Sequence, residues 1–351
     1  MHKMPDMPTQ TVFIASPLEA EHVARIRAGD PALRVLYAPD LLPPVRYVAD
    51  HKGAEFTRSP EQERRWRELL GEADILWDFP APDPGDIAHA KRLRWIQTTS
   101  TGVGQAVAKL RLAERGILVT TARGVHAQPL AEFVFMVLLS QWRGLAFLQA
   151  EQRAHRWERY CGEAVAGRTL VTVGAGDLAR GCARLARAFD MRVIAVAREP
   201  GKARPHNALF DAIRPIGELH AALAQADAVV ACVPHTPATE RLIDRAAFGA
   251  MCRGVIFINI ARGQVIDEAA LIDALRDGRL GFAALDVAEA EPLPPASPLW
   301  DMPNVLISPH SASTVSSENA AITAIFLHNL RCFLDGRPEA MRNVLDARLR
   351  Y

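Results

Sequence analysis

The sequence predicts an α/β protein with two domains, each built on a parallel sheet covered by helices. The chain has 351 residues, which is more than one ordinary domain holds. From residue 170 onward, short apolar runs rich in β-branched residues alternate with amphipathic stretches, as in a parallel sheet with helices on both faces. The first hundred residues follow a similar but less regular pattern.

Six apolar runs in the second half of the chain are predicted to form strands of one sheet. They are 170–173, 192–196, 228–233, 255–260, 283–287 and 305–308. Helices are predicted between several of them, at 178–189, about 218–225, 245–252 and 267–277. Six parallel strands with such crossovers complete a doubly wound, Rossmann-like nucleotide-binding domain.

Four runs in the first hundred residues predict strands of a second, Rossmann-like domain of flavodoxin-like fold: 11–16, 34–38, 73–79 and 93–99. A long helix from about 127 is predicted to carry the chain between domains, and a last helix ends at Gly336. We therefore predict a substrate-binding domain at 1–126 plus 312–351 and a nucleotide-binding domain at 127–311. The active site is expected in the cleft between them.

Composition and charge argue against several classes of protein. Hydrophobic residues make up 49% of the chain and the formal net charge is +1, so two cores can be buried and broad nucleic-acid binding is not expected. The five cysteines form no CxxC pair, and no histidine pair has the spacing of metal ligands. With these spacings we expect no metal. Because neither an apolar leader nor a long apolar run is present, we expect a cytoplasmic protein without a membrane partner.

A glycine-rich loop after the first strand of the second domain predicts a dinucleotide site. Gly174 permits a tight turn, and Gly176 opens a helix whose N-terminal N–H groups can face a pyrophosphate. The third position of the motif is Ala179, a small residue suited to helix–strand packing. The loop residues assigned to the cofactor are Gly174, Ala175, Gly176, Asp177 and Leu178.

The end of the next strand indicates which dinucleotide is bound. NAD-binding domains place a carboxylate about 20 residues after the glycines, but Ala197 stands there and Arg198 follows it. A guanidinium pairs with a phosphate through two hydrogen bonds. We therefore expect NADP(H) to be favoured over NAD(H), with Lys202 and Arg204 as helpers. A shift of one residue would instead place Glu199 on the ribose and favour NAD(H).

Charged and polar residues follow the last three predicted strands of this domain. Arg262, Asp286 and His310 come after successive strands, whose carboxyl ends meet at the edge of the sheet where ligands bind. The turn after the third strand can lie against the cofactor. Further residues assigned to cofactor binding are Val233, Pro234, His235 and Ala261.

From "RWIQTTSTGVG" (94–104) onward, the chain resembles the D-isomer-specific 2-hydroxyacid dehydrogenases. The most specific stretch is "NIARGQVIDEAALIDALRDGRLGFAALDVAEAEPLPPASPLWDMPNVLISPH", residues 259–310. The resemblance implies that Arg262, Glu291 and His310 are the catalytic trio. It also implies that Asp286 holds the nicotinamide carboxamide. The backbone N–H groups that receive the substrate carboxylate are, by the same resemblance, those of Thr101, Gly102 and Val103.

These residue types suit hydride transfer between a nicotinamide and a 2-keto acid. Arg262 can bind the carboxylate and polarise the neighbouring carbonyl, while His310 can give a proton to the carbonyl oxygen. Glu291 beside the imidazole would stabilise its charged form, and Glu289 is the nearest rival for that role. We expect an NAD(P)-dependent enzyme that interconverts a small keto acid, such as glyoxylate or hydroxypyruvate, and its D-2-hydroxy acid.

Several alternatives stay open. Pro309 and Glu291 argue against the formate dehydrogenases of this family, and we expect no regulatory domain of the kind that phosphoglycerate dehydrogenases often carry. Some relatives are corepressor-like proteins that sense nicotinamide nucleotides without physiological turnover. The hinge "TTARGVHAQPLAE" (120–132) departs from the asparagine-and-proline form that the resemblance predicts, which affects the choice of substrate. The resemblance also implies a homodimer, with an arm formed by a helix at 133–157 that bears Trp142 and Trp157.

Overall fold

The computed structural model describes residues 10–199 and 207–346. The described residues up to Val125 and from Thr314 onward form one compact unit, and His126–Ser313 form a second within the same described ranges. Lys202 and Arg204, the predicted helpers in cofactor binding, lie outside the described residues.

The first unit contains a five-stranded parallel sheet. Its strands are β1 (Thr11–Ile14), β2 (Arg34–Leu36), β3 (Ile75–Trp77), β4 (Trp95–Gln97) and β5 (Leu118–Thr120). The helices between them are α1 (Ala20–Arg27), α2 (Pro60–Glu72) and α3 (Gly104–Lys109). The strand order β2-β1-β3-β4-β5 is that of a flavodoxin-like doubly wound fold. The sequence pattern predicts the first four strands and misses β5, which has only three residues.

Helix α2 shows why these residues form a helix and which face they bury. The Ser59 hydroxyl accepts a hydrogen bond from the N–H of Gln62, whose side chain accepts from the N–H of Ser59, and Pro60 occupies the first helical turn. Trp66 and Leu70 lie on the buried face, one turn apart. The Trp66 ring packs edge-to-face on Phe13 of β1 with centroids 5.0 Å apart, which anchors the helix on the sheet.

The second unit contains a seven-stranded parallel sheet. Its strands are β6 (Thr169–Val173), β7 (Arg192–Ala197), β8 (Ala212–Pro215), β9 (Ala228–Ala231), β10 (Val255–Asn259), β11 (Leu280–Leu285) and β12 (Val305–Ile307). Its helices are α4 (Ala127–Trp142), α5 (Leu145–Arg153), α6 (Asp177–Ala188), α7 (Leu219–Leu223), α8 (Arg245–Ala250) and α9 (Glu268–Arg276).

The order β12-β11-β10-β9-β6-β7-β8 is the doubly wound order of dinucleotide-binding domains with one more strand at the edge. The sequence analysis predicts six strands and misses β8, because this edge strand is only half-buried and lacks a continuous apolar run.

The predicted continuous helix at 133–157 is wrong. Helix α4 ends at Trp142, and Gly144 adopts a φ of 64° before α5 begins. Trp157 lies beyond the end of α5 and is 99% exposed. Among the described residues, no single helix is long and apolar enough to cross a membrane, although α4 and α5 meet that length and composition when taken together across their 61° bend.

The last helix, α10 (Glu318–Leu334), belongs to the first unit. Its apolar residues Ile322, Phe326 and Leu330 recur at helical spacing and are buried. Phe326 stacks on Trp95 of β4, with ring centroids 5.1 Å apart. This packing explains why the chain returns to the first unit after β12.

The register of the second sheet positions the loops of interest. Asn259 at the end of β10 pairs with Leu285 of β11, which pairs with Ile307 of β12. The three strands are parallel, so the segments that follow them leave the same edge of the sheet.

Candidate active site

His310 and Glu291 form a hydrogen-bonded pair at this edge. Nδ1 of His310 lies 2.7 Å from Oε2 of Glu291. A carboxylate can only accept, so Nδ1 carries the hydrogen in this bond and Nε2 is left to exchange a proton with a ligand. The other oxygen of Glu291 accepts from the N–H of Ala288 at 3.3 Å, which orients the carboxylate. The His310 side chain is 43% exposed, so a ligand can reach it.

Asp286 fixes the loop that carries His310. Its carboxylate is buried, and Oδ1 accepts hydrogen bonds from the Ser308 hydroxyl at 2.7 Å and from two backbone N–H groups at 2.9 and 2.8 Å, those of Ser311 and Ala312. The carbonyl of Asp286 accepts from the N–H of His310 at 2.8 Å. These bonds hold His310 at a φ of 54°, which residues other than glycine seldom adopt. Oδ2 of Asp286 bonds to no residue that the structure describes.

Arg262 follows β10 and is held close to the neighbouring loop by Gly263. A Cβ atom on Gly263 would lie 1.9 Å from the carbonyl oxygen of Ala288, so only glycine fits there. Nη1 of Arg262 donates to the carbonyl of Ala261 at 2.7 Å. The side chain is half-buried and forms no ion pair within residues 10–199 and 207–346. Its charge is therefore available to an anionic ligand.

Glu289 does not share the position of Glu291. Its Oε1 pairs with Nη2 of Arg241 at 3.0 Å, and its N–H donates to Glu268 at 3.0 Å. Of the two glutamates considered from the sequence, the structure thus brings Glu291 against the imidazole and engages Glu289 elsewhere.

The glycine loop fits the pyrophosphate of a dinucleotide. Gly174 has a φ of 122°, and a Cβ there would lie 3.0 Å from the carbonyl of Cys232. A Cβ at Gly176 would meet no atom within 4 Å, so the space in front of the loop is open. Gly176 is the N-cap of α6 and offers no capping side chain, so the N–H groups of the first turn can face an anion. Within that turn, Asp177 forms an ion pair with Arg180.

The remaining loop residues assigned to the cofactor, Ala175 and Leu178, are half-buried beside the apolar cluster under α6. The end of β7 lies next to the glycine loop, because the N–H of Gly174 donates to the carbonyl of Val196 at 2.8 Å. Arg198 follows β7 with a side chain that is 71% exposed, and its Nε lies 3.8 Å from Oε1 of Glu199. Both residues considered for the ribose end of the cofactor are therefore at this strand end.

The turn after β9 is braced by its own side chains. Nε2 of His235 contacts the carboxylate of Glu240. The hydroxyl of Thr239 donates to the carbonyl of Pro234 at 2.7 Å, and Val233 packs against the core. The turn thus offers a rigid surface rather than a free imidazole.

The predicted carboxylate-binding loop belongs to the first unit, where it follows β4. Thr101 and Gly102 are exposed, and the buried Val103 is the N-cap of α3. The carbonyl of Ser100 accepts from the N–H of Ala122 at 3.3 Å, which ties this loop to the segment after β5.

Two residues that organise the site are absent from the sequence predictions. Ser308 binds the buried Asp286, and the available signal was a hydroxyl residue two positions before His310. Arg241 donates a hydrogen bond to Glu289, which lies 48 residues further along the chain, and no local sequence pattern predicts this contact.

Comparison with known proteins places these observations in a family. The model of the D-isomer specific 2-hydroxyacid dehydrogenase NAD binding domain matches residues 135–312. The glyoxylate reductase of Korarchaeum cryptofilum (strain OPF8) is 32% identical over 256 residues, which are 70% of this chain and 75% of that protein. Curated D-3-phosphoglycerate dehydrogenases also match, and the chain spans about half of their length, 51% for that of Archaeoglobus fulgidus.

Solved structures that are similar to this chain include members of the same family. A D-isomer specific 2-hydroxyacid dehydrogenase family protein from Aeromonas salmonicida subsp. salmonicida A449 is 31% identical with a TM-score of 0.81, covering 97% of this chain and 99% of that one. A D-isomer specific 2-hydroxyacid dehydrogenase from Xanthobacter autotrophicus Py2, solved with NADPH and MES, is 28% identical with a TM-score of 0.74, covering 98% and 100%.

The fold and the matches define the class of protein as an NAD(P)-dependent oxidoreductase acting on CH–OH donors. Within that class, the chain belongs to the D-isomer-specific 2-hydroxyacid dehydrogenases, whose substrates are small 2-keto and 2-hydroxy acids. The predictions of the family, the α/β class and the enzyme class are thereby confirmed.

Proposed function

We propose that the protein interconverts a small 2-keto acid and its D-2-hydroxy acid, with glyoxylate and hydroxypyruvate as the first candidates. The pairing of His310 with Glu291 carries this proposal, because it prepares an imidazole for proton exchange at the sheet edge where Arg262 also lies. A glyoxylate reductase among the relatives supports the choice of substrate.

Each residue has a defined role in this proposal. Arg262 binds the substrate carboxylate and polarises the keto oxygen. His310 gives a proton from Nε2 to that oxygen during reduction and takes it back during oxidation, while Glu291 stabilises the imidazolium. Bound nicotinamide supplies or accepts the hydride. The backbone N–H groups that receive the carboxylate are those of Thr101, Gly102 and Val103.

We also propose that NADP(H) is favoured over NAD(H). The exposed guanidinium of Arg198 lies at the end of β7, beside the glycine loop, where it can pair with a 2′-phosphate. The related enzyme from Xanthobacter autotrophicus was solved with NADPH. Oδ2 of Asp286 is proposed to accept from the nicotinamide carboxamide.

We also propose a homodimer, because the second unit has several exposed apolar side chains. Met136 of α4, Leu145 and Leu148 of α5, and Trp157 beyond it are all more than 40% exposed. Apolar surface of this kind is typical of an interface between copies. Sedimentation velocity at micromolar concentration tests it, and Trp157→Ser should shift the dimer towards monomer.

The activity is tested by steady-state kinetics with NADPH and NADH on a panel of small 2-keto acids. Turnover of glyoxylate or hydroxypyruvate is expected, and His310→Gln should lower kcat by about 10²- to 10⁴-fold, the usual contribution of a general acid. Turnover of no keto acid, together with tight NADPH binding in a fluorescence titration, would contradict the proposal and favour a nucleotide-sensing, corepressor-like protein.

A further inference from the structure

The hinge after β5 contains an arginine whose side chain has no protein partner in the described ranges. Seven described arginines are half-buried: Arg58, Arg123, Arg168, Arg180, Arg214, Arg262 and Arg279. Six of them donate to a carboxylate or carbonyl oxygen of the protein. Only Arg123, of these seven, directs its guanidinium to no residue that the structure describes. A guanidinium has five N–H donors, and those of Arg123 are accessible to solvent and to a ligand.

The backbone of Arg123 is nevertheless held firmly. Its carbonyl accepts a hydrogen bond from Nδ2 of Asn343 at 2.8 Å, and its N–H donates to the hydroxyl of Thr121 at 3.4 Å. The same Asn343 amide reaches the carbonyl of Thr121 at 3.1 Å, and Asn343 adopts a φ of 58° to do so. A fixed backbone beneath a solvent-accessible cation that has no protein partner in the described ranges is an arrangement that can receive an anionic ligand.

Arg123 also lies beside the loop that contains Thr101. Strands β4 and β5 are neighbours, with Gln97 paired to Thr120, so the segments that follow them leave the same sheet edge. The N–H of Ala122 donates to the carbonyl of Ser100, immediately before the loop. The hinge and the loop are therefore joined within the first unit.

The carboxylate that follows β3 at this edge does not neutralise Arg123. Asp78 is buried and accepts instead from the hydroxyl of Thr99 at 2.7 Å and from its N–H at 3.3 Å. The cation next to the loop is thus left for an incoming anion.

We propose that Arg123 is a specificity-determining residue that binds a second anionic group of the substrate. Among the keto acids that the protein accepts, those that carry a distal carboxylate or phosphate are then preferred over glyoxylate and hydroxypyruvate, since a guanidinium pairs with either group. This inference rests on the proposed function, in particular on the proposed role of Thr101, Gly102 and Val103 in holding the first carboxylate.

The test compares kcat/KM for keto acids with two anionic groups, called dianions, and for keto acids with one anionic group, called monoanions. Oxaloacetate and 2-oxoglutarate represent the distal carboxylate, 3-phosphohydroxypyruvate represents the phosphate, and pyruvate and hydroxypyruvate are the monoanions. Arg123→Gln should lower the dianion-to-monoanion ratio by about 10- to 100-fold, the value of one charge-assisted contact. Arg123→Lys should restore part of the ratio. The distal group, carboxylate or phosphate, for which Arg123→Gln lowers the kcat/KM ratio more is the group that Arg123 binds.

Arg27→Gln is the matched control, because Arg27 is an exposed arginine of α1 in the same unit and its loss changes the net charge equally. It should leave the ratio at the wild-type value. A wild-type preference for monoanions, or a ratio that Arg123→Gln does not change, would overturn the assignment. Circular dichroism and Tm verify that both variants are folded.

Binding is measured in parallel, so that the inference is tested even if no keto acid is turned over. In the presence of NADP⁺, D-malate should raise the Tm of the wild type more than D-lactate does, and Arg123→Gln should abolish this difference. An unchanged difference in the variant would contradict the role of Arg123. Absence of turnover with every keto acid would instead contradict the proposed function alone.

Discussion

Nδ1 of His310 lies 2.7 Å from Oε2 of Glu291, and this contact joins the loop after β12 to the loop after β11. The same carboxylate is held by the N–H of Ala288, whose carbonyl in turn lies against Gly263. The imidazole, its partner and the start of the loop after β10 are thus linked through one short backbone segment. Each of these contacts can be removed separately.

Replacing Glu291 by Gln removes the negative charge beside His310 but keeps the shape of the side chain. We expect kcat to fall by about 10- to 100-fold, because a charge-assisted hydrogen bond worth roughly 1.5–3 kcal/mol is lost. Glu289→Gln is the control, since Glu289 pairs with Arg241 at 3.0 Å, and it should keep most of the activity. Equal losses in the two variants would mean that the local negative charge, rather than the contact with His310, is what matters.

Replacing Gly263 by Ala should destabilise the fold. The added Cβ would lie 1.9 Å from the carbonyl oxygen of Ala288, so the backbone must move. We expect the free energy of unfolding to fall by about 1–3 kcal/mol or more, measured by urea denaturation. Gly176→Ala meets no atom within 4 Å and should keep its stability while binding NADPH more weakly. A stable Gly263→Ala variant would contradict the close approach.

Replacing Arg198 by Ala should change the choice of cofactor. If its guanidinium pairs with the 2′-phosphate, the ratio of kcat/KM for NADPH over NADH falls by about 10- to 100-fold. Glu199→Gln distinguishes the other assignment, since the two side chains lie 3.8 Å apart. Loss of NADH activity in Glu199→Gln, with no change in Arg198→Ala, would mean that the carboxylate binds the ribose.

The carboxylates around His51 predict that the stability of the first unit depends on pH. Burial lowers the pKa of this histidine. The carboxylate of Glu318, 3.4 Å from Nε2, and two further carboxylates raise the pKa by more than burial lowers it, so the net pKa is raised. The further carboxylates are those of Asp78 and Glu19. The imidazolium therefore stabilises the folded state fully below the unfolded value of about 6.5, and this contribution is lost as pH rises through the higher folded value.

His51→Asn should accordingly lower Tm most at pH values below about 6.5, with a difference from the wild type that shrinks as the pH is raised. Thermal unfolding followed by circular dichroism over a pH series measures it. His89→Asn, at a half-buried histidine of the same unit, is the control. A difference that stays constant with pH would show that His51 contributes through packing alone.

Local sequence patterns are enough to predict the family, the α/β class, the glycine loop and a set of candidate site residues. These features are local: strands such as β6 and β10 are continuous apolar runs, and Arg262, Asp286 and His310 follow their strands directly. The elements that were missed have weak local patterns. Strand β5 has three residues, β8 is a half-buried edge, and the break at Gly144 interrupts a pattern that reads as one helix.

The pairing of side chains that are distant in sequence is visible only in the folded protein. The resemblance favours Glu291 and leaves Glu289, two residues away, as its rival; the structure shows that Glu291 contacts His310 and that Glu289 contacts Arg241. The lack of a partner for Arg123 among the described residues is likewise invisible in the sequence. Such pairings join segments separated by 19 to 48 residues, so they depend on strand order and on close backbone contacts rather than on local periodicity.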